Sequence, residues 1–390
     1  MKKRTIKYGG ALTGDAEERA IIRSIKKSRR TRNWQASEEA SKMEQEASKF
    51  LGVKYGILTT SGSSAGLLAL SALELPKGSE VIISAVTFPT IFNIILQCGL
   101  VPVVVDAKVG TYGFDIEDVK NAISPKTKVI IAIHPLGNPV DMPNLMKLVK
   151  KYEQKICVIE DCCDALGSEI GRKKVGSFGD ISFTSFHAAH IVSMGVGGGV
   201  FTNNKSVAQS VRMYRDWGRQ ADINKSENKK HKALPKDYNP RFIYEKIGYN
   251  FQILELQAAM GRVQLRKIDK IKKARKKNFD YLYKNLSKYP LQLPLWLKNA
   301  DVCWFAFPIT YEGDRGKLLK HLEKNGIETR PMFSGRIDLH PAYQKSKYKI
   351  SGKFKGADYI TKNSFWISVH PSLTKSDLKY IIKTFDDFYK

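Results

Sequence analysis

Cysteine is scarce in this chain, and the few cysteines present suit neither a disulfide framework nor a metal site. Their number is odd, two of them are adjacent in sequence, and none of their spacings is typical of metal ligands. We therefore expect reduced, mostly buried thiols and no metal centre. The 390 residues contain five cysteines: Cys98, Cys157, Cys162, Cys163 and Cys303.

Long apolar runs are also missing. A run such as VIIAI (residues 129–133) is far too short to span a bilayer, which takes about 20 apolar residues. The basic N-terminus is followed by no apolar segment, so it does not predict a signal peptide. With 42% hydrophobic residues, the composition predicts a folded cytoplasmic protein without a membrane span.

Acidic residues are few: 38 aspartates and glutamates stand against 65 lysines and arginines, which gives a net charge of +27. The positive charge is concentrated in residues 23–34 and 266–278. It is compatible with a nucleic-acid partner, with solvated helix faces, or with steering of an anionic substrate such as a nucleotide-linked one. Because no nucleic-acid-binding motif accompanies these clusters, we favour solvated helix faces and expect no nucleic-acid partner.

Alternating strands and helices predict the fold class from residue 38 onward. Strands rich in β-branched residues, among them EVIIS and VPVVVDA, alternate with amphipathic helices. This pattern is typical of an α/β protein with a mostly parallel central sheet that is covered on both faces. A helical segment at residues 254–286 precedes a second α/β part. We therefore predict a large domain of residues 1–285 and a smaller C-terminal α/β domain of residues 286–390.

The turns after the predicted strands hold the candidate site, because ligands of open α/β sheets bind beyond the carboxyl ends of the strands. The turn SGSSAG places Gly62, Ser63 and Ser64 directly before a helix, where backbone N–H groups and the helix dipole can bind a phosphate. Ser185, at the end of another strand, would add a hydroxyl. Small residues also cap helices for structural reasons, so the turn alone is a weak signal.

Two further residues at strand ends make the pattern more specific. Asp161 ends a buried strand, and a buried carboxylate needs a cationic partner such as a protonated pyridine nitrogen. Phe88 could stack on a ring or simply pack in the core. A phosphate site, a carboxylate and an aromatic plate at one edge of a sheet together match the needs of pyridoxal 5′-phosphate (PLP).

Several long stretches carry a family resemblance, among them SGSSAGLLALSAL, VIEDCCDALGS, VGSFGDISFTSF and IGYNFQILELQAAMG. They are similar to the DegT-type family of PLP-dependent nucleotide-sugar enzymes, and the similarity covers nearly the whole chain. The resemblance implies the type I aminotransferase fold and a homodimer. It also implies roles for six residues: phosphate contacts for Ser63, Ser185 and, from the neighbouring subunit, Asn250; ring stacking for Phe88; pairing with the pyridinium nitrogen for Asp161; and a position facing the phenolic oxygen for Asp164.

One position departs from the family's aminotransferases, which read SFxxxK and hold PLP covalently through that lysine. Here Ser185 and Phe186 match, but the lysine position is His190, and an imidazole has no primary amine. A branch of NDP-4-keto-6-deoxyhexose 3-dehydratases shares this replacement, and its PAHHITMGEGG resembles AAHIVSMGVGG in this chain. The resemblance implies non-covalent PLP or pyridoxamine 5′-phosphate (PMP) and loss of the sugar's C3 hydroxyl, with His190 as the catalytic base and acid.

Neighbouring positions depart from that branch as well. His187 replaces a tyrosine, Ile191 replaces the second histidine, and Val196 replaces the glutamate of GEGG, which bears on substrate fit. A catalytic role and structural support of the turn are both compatible with His187. A metal site of His187 and His190 has less support, because no carboxylate or thiolate lies at ligand spacing.

The absence of cysteines that could bind an iron–sulfur cluster bears on how the cofactor regains its amine. The branch's CDP-sugar enzymes carry [2Fe–2S] cysteines after RDWGRDC, but no cysteine stands between residues 164 and 302 of this chain. The corresponding polar stretch, residues 220–241, is predicted to be a loop. The resemblance to the cluster-free GDP-4-keto-6-deoxymannose 3-dehydratase implies glutamate as the amino donor.

Three alternatives to the dehydratase reading stay open. One is a PLP-dependent nucleotide-sugar aminotransferase, the second is another lysine-free PMP reaction on a keto sugar, and the third is a catalytically silent sugar-binding or regulatory protein. The residue types of the candidate site favour an enzyme, because the lysine is replaced by histidine rather than by alanine or glycine. The nucleotide and the sugar's stereochemistry are left open by the sequence.

Overall fold

The computed structural model of the chain describes residues 4–220, 233–235, 237–239 and 242–390. Most of the loop predicted at residues 220–241 therefore lies outside the described residues. The helices are α1 (Asp15–Thr31), α2 (Glu38–Leu51), α3 (Gly62–Ser71), α4 (Pro89–Gln97), α5 (Ile116–Ala122), α6 (Met142–Val149), α7 (Lys205–Arg215), α8 (Glu255–Leu265), α9 (Ile268–Leu286), α10 (Arg315–Lys324), α11 (Lys355–Asn363) and α12 (Lys375–Phe388). The strands are β1 (Tyr55–Thr59), β2 (Glu80–Ser84), β3 (Val101–Val105), β4 (Thr127–Ile133), β5 (Cys157–Asp161), β6 (Glu169–Ile170), β7 (Lys173–Lys174), β8 (Ile181–Ser185), β9 (Gly198–Thr202), β10 (Ala300–Asp301), β11 (Ala306–Thr310), β12 (Arg330–Pro331), β13 (Lys349–Ile350) and β14 (Ser364–Ser368).

The central sheet has the strand order β1-β9-β8-β5-β4-β2-β3-β13. Neighbours from β8 through β5, β4, β2 and β3 to β13 run parallel, whereas β9 runs antiparallel to both β1 and β8. Strand β2 is buried at every position, as expected when helices cover both faces of a sheet. The predicted α/β class with a mostly parallel sheet is confirmed.

The residues after α9 build a second, antiparallel sheet of β11, β14 and β12. Its core includes Phe307 and Phe365, which pack with Phe385 of α12. The same part of the chain also adds β13 to the edge of the central sheet, beside β3. The domain boundary near residue 285 stays a prediction.

Helix ends follow local sequence signals in some places and not in others. Helix α2 ends at Gly52 as predicted, where φ is +76° and the glycine N–H donates to the carbonyl oxygen of Lys49. The predicted helical segment at 254–286 is two helices, because α8 ends at Leu265 and α9 begins at Ile268. Among the described residues, no helix combines the length and the apolar composition that crossing a bilayer requires.

The N-terminal segment is more ordered than the sequence predicts. The sequence predicts no element before residue 38, yet α1 carries most of the basic cluster at residues 23–34 and packs on α8 through Ala20. Before α1, Ile6 pairs with Ile327 of the C-terminal part. The first described residues therefore pack against the C-terminal part of the chain.

Candidate active site

A cleft of about 500 Å³ opens where the parallel strands end. It is lined by the residues that follow β1, β2, β5 and β8, and by side chains from the N-terminal segment and the C-terminal sheet. The structure brings most of the predicted site residues together in this cleft: Gly62, Ser63, Phe88, Asp161, Asp164, Ser185, His187 and His190.

Ser64 and Asn250 do not line this cleft. The Oγ of Ser64 accepts the N–H of Ser61 at 2.9 Å and shares hydrogen bonds with the hydroxyls of Thr59 and Thr60, each at 3.0 Å. Ser61 is the N-cap residue of α3, and its Oγ accepts the N–H of Ser64 at 3.0 Å, so Ser64 completes the capping box and supports the turn. Asn250 is exposed and pairs with Asp216 outside the cleft. Its contact with the cofactor of a neighbouring subunit stays a prediction.

The first turn of α3 is the candidate anion site. The N–H groups of a helix's first turn have no partner within the helix, so those of Gly62 and Ser63 are available to a phosphate. The hydroxyl of Ser63 lies 2.8 Å from that of Thr90, and both residues line the cleft. Ser185 closes the site from β8, and its Oγ accepts the N–H of His187 at 3.2 Å.

Two glycines permit the close packing of this anion site. A Cβ on Gly62 would lie 2.7 Å from the Cβ of Ser185, and a Cβ on Gly198 would lie 2.2 Å from the carbonyl oxygen of Ser61. Any side chain at either position would push the turn away from β8 or β9. Within the glycine run after the histidine turn, Gly198 is therefore required by the approach of β9 to the turn before α3.

Asp161, the last residue of β5, is a buried carboxylate without a cation. Its Oδ1 accepts the N–H of Cys163 at 3.0 Å. Burial raises the pKa of Asp161 most strongly; the hydrogen bonds from Cys163 oppose this, and nearby Asp164 raises the pKa further. Among the described residues, no lysine, arginine or histidine nitrogen lies within 4 Å of this carboxylate. A cationic nitrogen in a ligand would remove much of the cost of burying it.

His190 and Asp164 face each other in the lining of the cleft. The Nδ1 of His190 is buried and lies 3.4 Å from Oδ1 of Asp164. The imidazole ring also packs 5.4 Å from the ring of Phe305, at an angle of 34°. Because Nδ1 is buried while 19% of the His190 side chain is exposed, the edge open to the cleft is the one away from Nδ1.

His187 lies beside His190 and stabilises the turn that carries both. The two rings are 6.0 Å apart, nearly perpendicular, and the Nδ1 of His187 accepts the N–H of Ala189 at 3.3 Å. Burial lowers the pKa of His187, and the neighbouring His190 lowers it further. Both effects favour a neutral ring that supports the turn. The catalytic alternative for His187 stays open.

The buried group His134, Glu160 and Cys162 has the composition of a metal site. The Glu160 carboxylate, however, already accepts three backbone N–H groups at 2.7 Å each, from residues 176, 178 and 179. The Nδ1 of His134 accepts the N–H of Val140 at 3.1 Å, so Nε2 carries the proton and donates to Glu160 at 3.3 Å. These bonds use the lone pairs that a metal would need. The group fixes the ends of β4 and β5 instead.

The part of the cleft lining that comes from outside the central sheet was not predicted. It includes Tyr8, Phe305, Arg330 and Trp366, which come from the N-terminal segment and the C-terminal part of the chain. Phe305 and Arg330 lie in the stretches CWFAFPIT and GIETRP, each of which predicts a strand, but neither stretch indicates that these side chains reach the cleft. All four residues reach it through contacts between distant parts of the sequence.

The chain is similar to known proteins along most of its length. The model of the DegT/DnrJ/EryC1/StrS aminotransferase family matches residues 15–386. The lipopolysaccharide biosynthesis protein RfbH of Salmonella typhimurium is 37% identical over 368 residues, which cover 89% of this chain and 84% of that protein. The dTDP-4-dehydro-2,6-dideoxy-D-glucose 3-dehydratase of Saccharopolyspora spinosa is 36% identical and covers 90% of this chain and 80% of that protein.

A solved structure shows the same architecture. The crystal structure of a GDP-4-keto-6-deoxymannose-3-dehydratase with a trapped PLP-glutamate geminal diamine superimposes with a TM-score of 0.89. Its sequence is 25% identical, and the match covers 97% of this chain and 100% of that one. The predicted aminotransferase-type fold is thereby confirmed.

Proposed function

The chain belongs to the DegT/DnrJ/EryC1/StrS aminotransferase family, and from this premise we propose that it is a PLP- or PMP-dependent 3-dehydratase. Its substrate would be a nucleotide-linked 4-keto-6-deoxyhexose, and its role the synthesis of a deoxysugar. One observation carries the proposal: among the described residues that line the cleft there is a histidine, His190, at the family's lysine position, and no lysine. These residues would hold a cofactor without a covalent bond and would place the imidazole of His190 beside it.

The cleft residues fit the cofactor. The N–H groups of the first turn of α3, with Ser63 and Ser185, suit its phosphate, and Asp161 supplies the missing counter-charge for a protonated pyridine nitrogen. Phe88 is 56% exposed at the start of α4 and offers a face for stacking. When bound as the amine, the cofactor supplies an electron sink and the two electrons that deoxygenation consumes.

His190 is proposed to move the protons. Asp164 beside Nδ1 favours the tautomer with the proton on that nitrogen, which leaves the lone pair of the other ring nitrogen for the cleft. There it can take a proton from the cofactor's amine-bearing carbon and give one to the departing C3 oxygen of the sugar. The apolar ring of Phe305 against the imidazole limits water at this position.

The overall chemistry balances with an amino acid as reductant. Replacing C–OH by C–H at C3 requires two electrons, and these come from the donor's amine-bearing carbon as it becomes a ketone. The net reaction converts the sugar and glutamate into the 3-deoxy sugar, 2-oxoglutarate and ammonia. The glutamate adduct in the similar dehydratase structure supports this donor.

Activity is therefore expected to depend on an amino donor and not on an iron–sulfur reductase. Because no cysteine stands between residues 164 and 302, the purified protein should turn over under anaerobic conditions with glutamate alone as reductant. The measurement is formation of 2-oxoglutarate and 3-deoxy product in equal amounts. Strict dependence on an added electron-transfer protein would contradict this route.

A substrate screen tests the function itself. GDP-, CDP- and dTDP-linked 4-keto-6-deoxyhexoses are incubated with the protein, PMP and glutamate, and the products are analysed by mass spectrometry and NMR. A product that has lost the C3 hydroxyl supports the proposal. A product with an amine at C4 and an intact C3 hydroxyl would show an aminotransferase instead. Failure to retain PLP or PMP, together with no product, would show a silent homologue.

A further inference from the structure

Phe333 has an unusual backbone conformation in the lining of the cleft. Its φ is +48°, in the left-handed region that residues other than glycine, asparagine and aspartate rarely adopt. Seven of the described non-glycine residues have a positive φ, and of these only Leu136 and Phe333 line the cleft. Leu136 is 1% exposed and belongs to the core, whereas Phe333 is only partly buried. Core packing therefore accounts for Leu136 but leaves the conformation of Phe333 to be explained.

Hydrogen bonds on both sides of Phe333 hold it in this conformation. Residues 332–335 form a tight turn that is closed by a hydrogen bond of 2.8 Å between its end residues, and Phe333 is the first central residue. Where a turn needs a positive φ at this place, glycine, asparagine and aspartate dominate. The next residue, Ser334, donates its N–H and its hydroxyl to the carbonyl oxygen of Thr87, at 3.4 and 2.6 Å. The turn is thus fastened to the segment that leads into Phe88.

The cleft lining that follows α9 in the sequence is largely apolar. Among the described residues it consists of Phe305, Arg330, Pro331, Phe333 and Trp366, of which only Arg330 is polar. The groups that are proposed to hold the cofactor come instead from the turns after the strands of the central sheet. Phe333 therefore belongs to the part of the lining that the proposed cofactor site leaves for the substrate.

We propose that Phe333 binds the C6 methyl group of the sugar and so selects 6-deoxy sugars against sugars with a C6 hydroxyl. The inference rests on the proposed function, which makes a nucleotide-linked 6-deoxyhexose the substrate. The other substituents of that sugar ring are hydroxyls, a ketone and the diphosphate link, so the methyl group is the one that an aromatic ring suits. A hydroxyl against the ring would lose hydrogen bonds to water. Glycine would relieve the strain in the turn but could not make this contact.

Binding of inert sugar nucleotides to the PLP-loaded protein tests the contact directly. The probes are GDP-mannose with GDP-6-deoxymannose, CDP-glucose with CDP-6-deoxyglucose, and dTDP-glucose with dTDP-6-deoxyglucose, which differ within a pair only by the C6 oxygen. Calorimetry gives the dissociation constants. For the nucleotide that the protein accepts, the wild type should bind the 6-deoxy sugar about three- to thirtyfold more tightly. Phe333→Ala should lose most of this preference, Phe333→Leu should keep part of it, and the exposed control Leu339→Ala should match the wild type.

Two further comparisons show whether the methyl group lies elsewhere. Val196 is a second apolar residue of the lining, 50% exposed, and it comes from the turn before β9. If Val196→Ala abolishes the preference and Phe333→Ala keeps it, the proposal is wrong. Free GDP, CDP and dTDP are the other probes, and Phe333→Ala should leave their affinities unchanged. An equal loss of affinity for the free nucleotide and the sugar nucleotide would assign Phe333 to the nucleotide and overturn the proposal.

The stability of the cofactor-free protein tests whether residue 333 is strained. Glycine tolerates a positive φ better than alanine does, so Phe333→Gly should melt about 1–2 °C higher than Phe333→Ala. At Leu339, where φ is not positive, the order should be reversed, because glycine loses more conformational entropy on folding. A Phe333→Ala variant at least as stable as Phe333→Gly would remove the strain from which the inference starts.

The outcomes separate this inference from the function on which it rests. Wild-type protein that binds both members of each pair equally, or binds none of the pairs, would overturn the methyl subsite. If PMP-loaded protein removes the C3 hydroxyl but shows no preference at C6, the dehydratase stands and the subsite falls. If the preference exists and depends on Phe333 but the C3 hydroxyl is never removed, the subsite stands and the dehydratase falls.

Discussion

Asp161→Asn is expected to lower turnover by roughly 10²–10³-fold while the fold is retained. A neutral amide cannot keep a pyridine nitrogen protonated, so the bound cofactor loses its electron sink. Removal of a charged hydrogen-bond partner should also weaken PLP binding about tenfold to hundredfold. The measurements are kcat with a donor and a nucleotide sugar, and PLP affinity by fluorescence. A surface variant, Asp301→Asn, serves as the control, and near-wild-type turnover in Asp161→Asn would refute the assignment.

The same variant should make the cofactor-free protein more stable, not less. Burial raises the pKa of Asp161, so its charged form disfavours the folded state at neutral pH. For a carboxyl with a raised folded-state pKa, this penalty shrinks as pH falls and vanishes below the ordinary aspartate value of 3.8. The melting temperature of cofactor-free Asp161→Asn should thus exceed that of the wild type at pH 7, and the difference should narrow in acid. Added PLP should reverse the order, because it stabilises the wild type more.

The site residues that follow the strands of the central sheet could be predicted, because each lies next to a strand that its own sequence indicates. Parallel strands end at one edge, so polar residues after β1, β5 and β8 must meet once the strands are recognised. The strand β2 matches the predicted EVIIS run at both ends, since its β-branched residues are bounded by clear turn signals. Ser64 was less predictable. Of the serines in the first turn of α3, one must bond back to the backbone of the turn, and only the structure shows that it is Ser64 and not Ser63.

Helix α1, strand β9 and the cleft residues from distant parts of the chain could not be predicted from hydrophobic periodicity. Helix α1 buries only small or polar residues such as Ala20, Ser24 and Ser28, so no apolar stripe marks it within a basic stretch. Strand β9 begins with glycines, which are depleted in strands. Glycine is needed there because Gly198 lies against the carbonyl group of Ser61. The wall of Tyr8, Phe305 and Trp366 depends on pairings across the whole chain. Such contacts follow from the packed fold and not from neighbouring residues.

His190→Asn should bind PMP but turn over roughly 10²–10⁴-fold more slowly, which is the usual cost of removing a general base. An amide can occupy the space of the imidazole beside Asp164 and Phe305, but it cannot exchange a proton near neutral pH. His187→Asn is the matched comparison. It keeps an acceptor for the N–H of Ala189, so a residue that only supports the turn should lose much less activity. Equal losses in the two variants would give His187 a share in catalysis.

His190→Lys is expected to change the binding of PLP from non-covalent to covalent. Wild-type protein that is loaded with PLP, freed of unbound PLP and then treated with borohydride should release its cofactor on denaturation, because among the described residues no lysine lines the cleft. The variant places a primary amine after Ser185 and Phe186 at the spacing of the family's lysine. Borohydride should then fix PLP to a peptide that contains position 190, as read by mass spectrometry. The variant should also lose most C3 dehydration, since a lysine occupied by the cofactor is a poor base. If borohydride instead fixes PLP to some lysine of the wild type, the cofactor is held covalently after all, and an aminotransferase would replace the dehydratase.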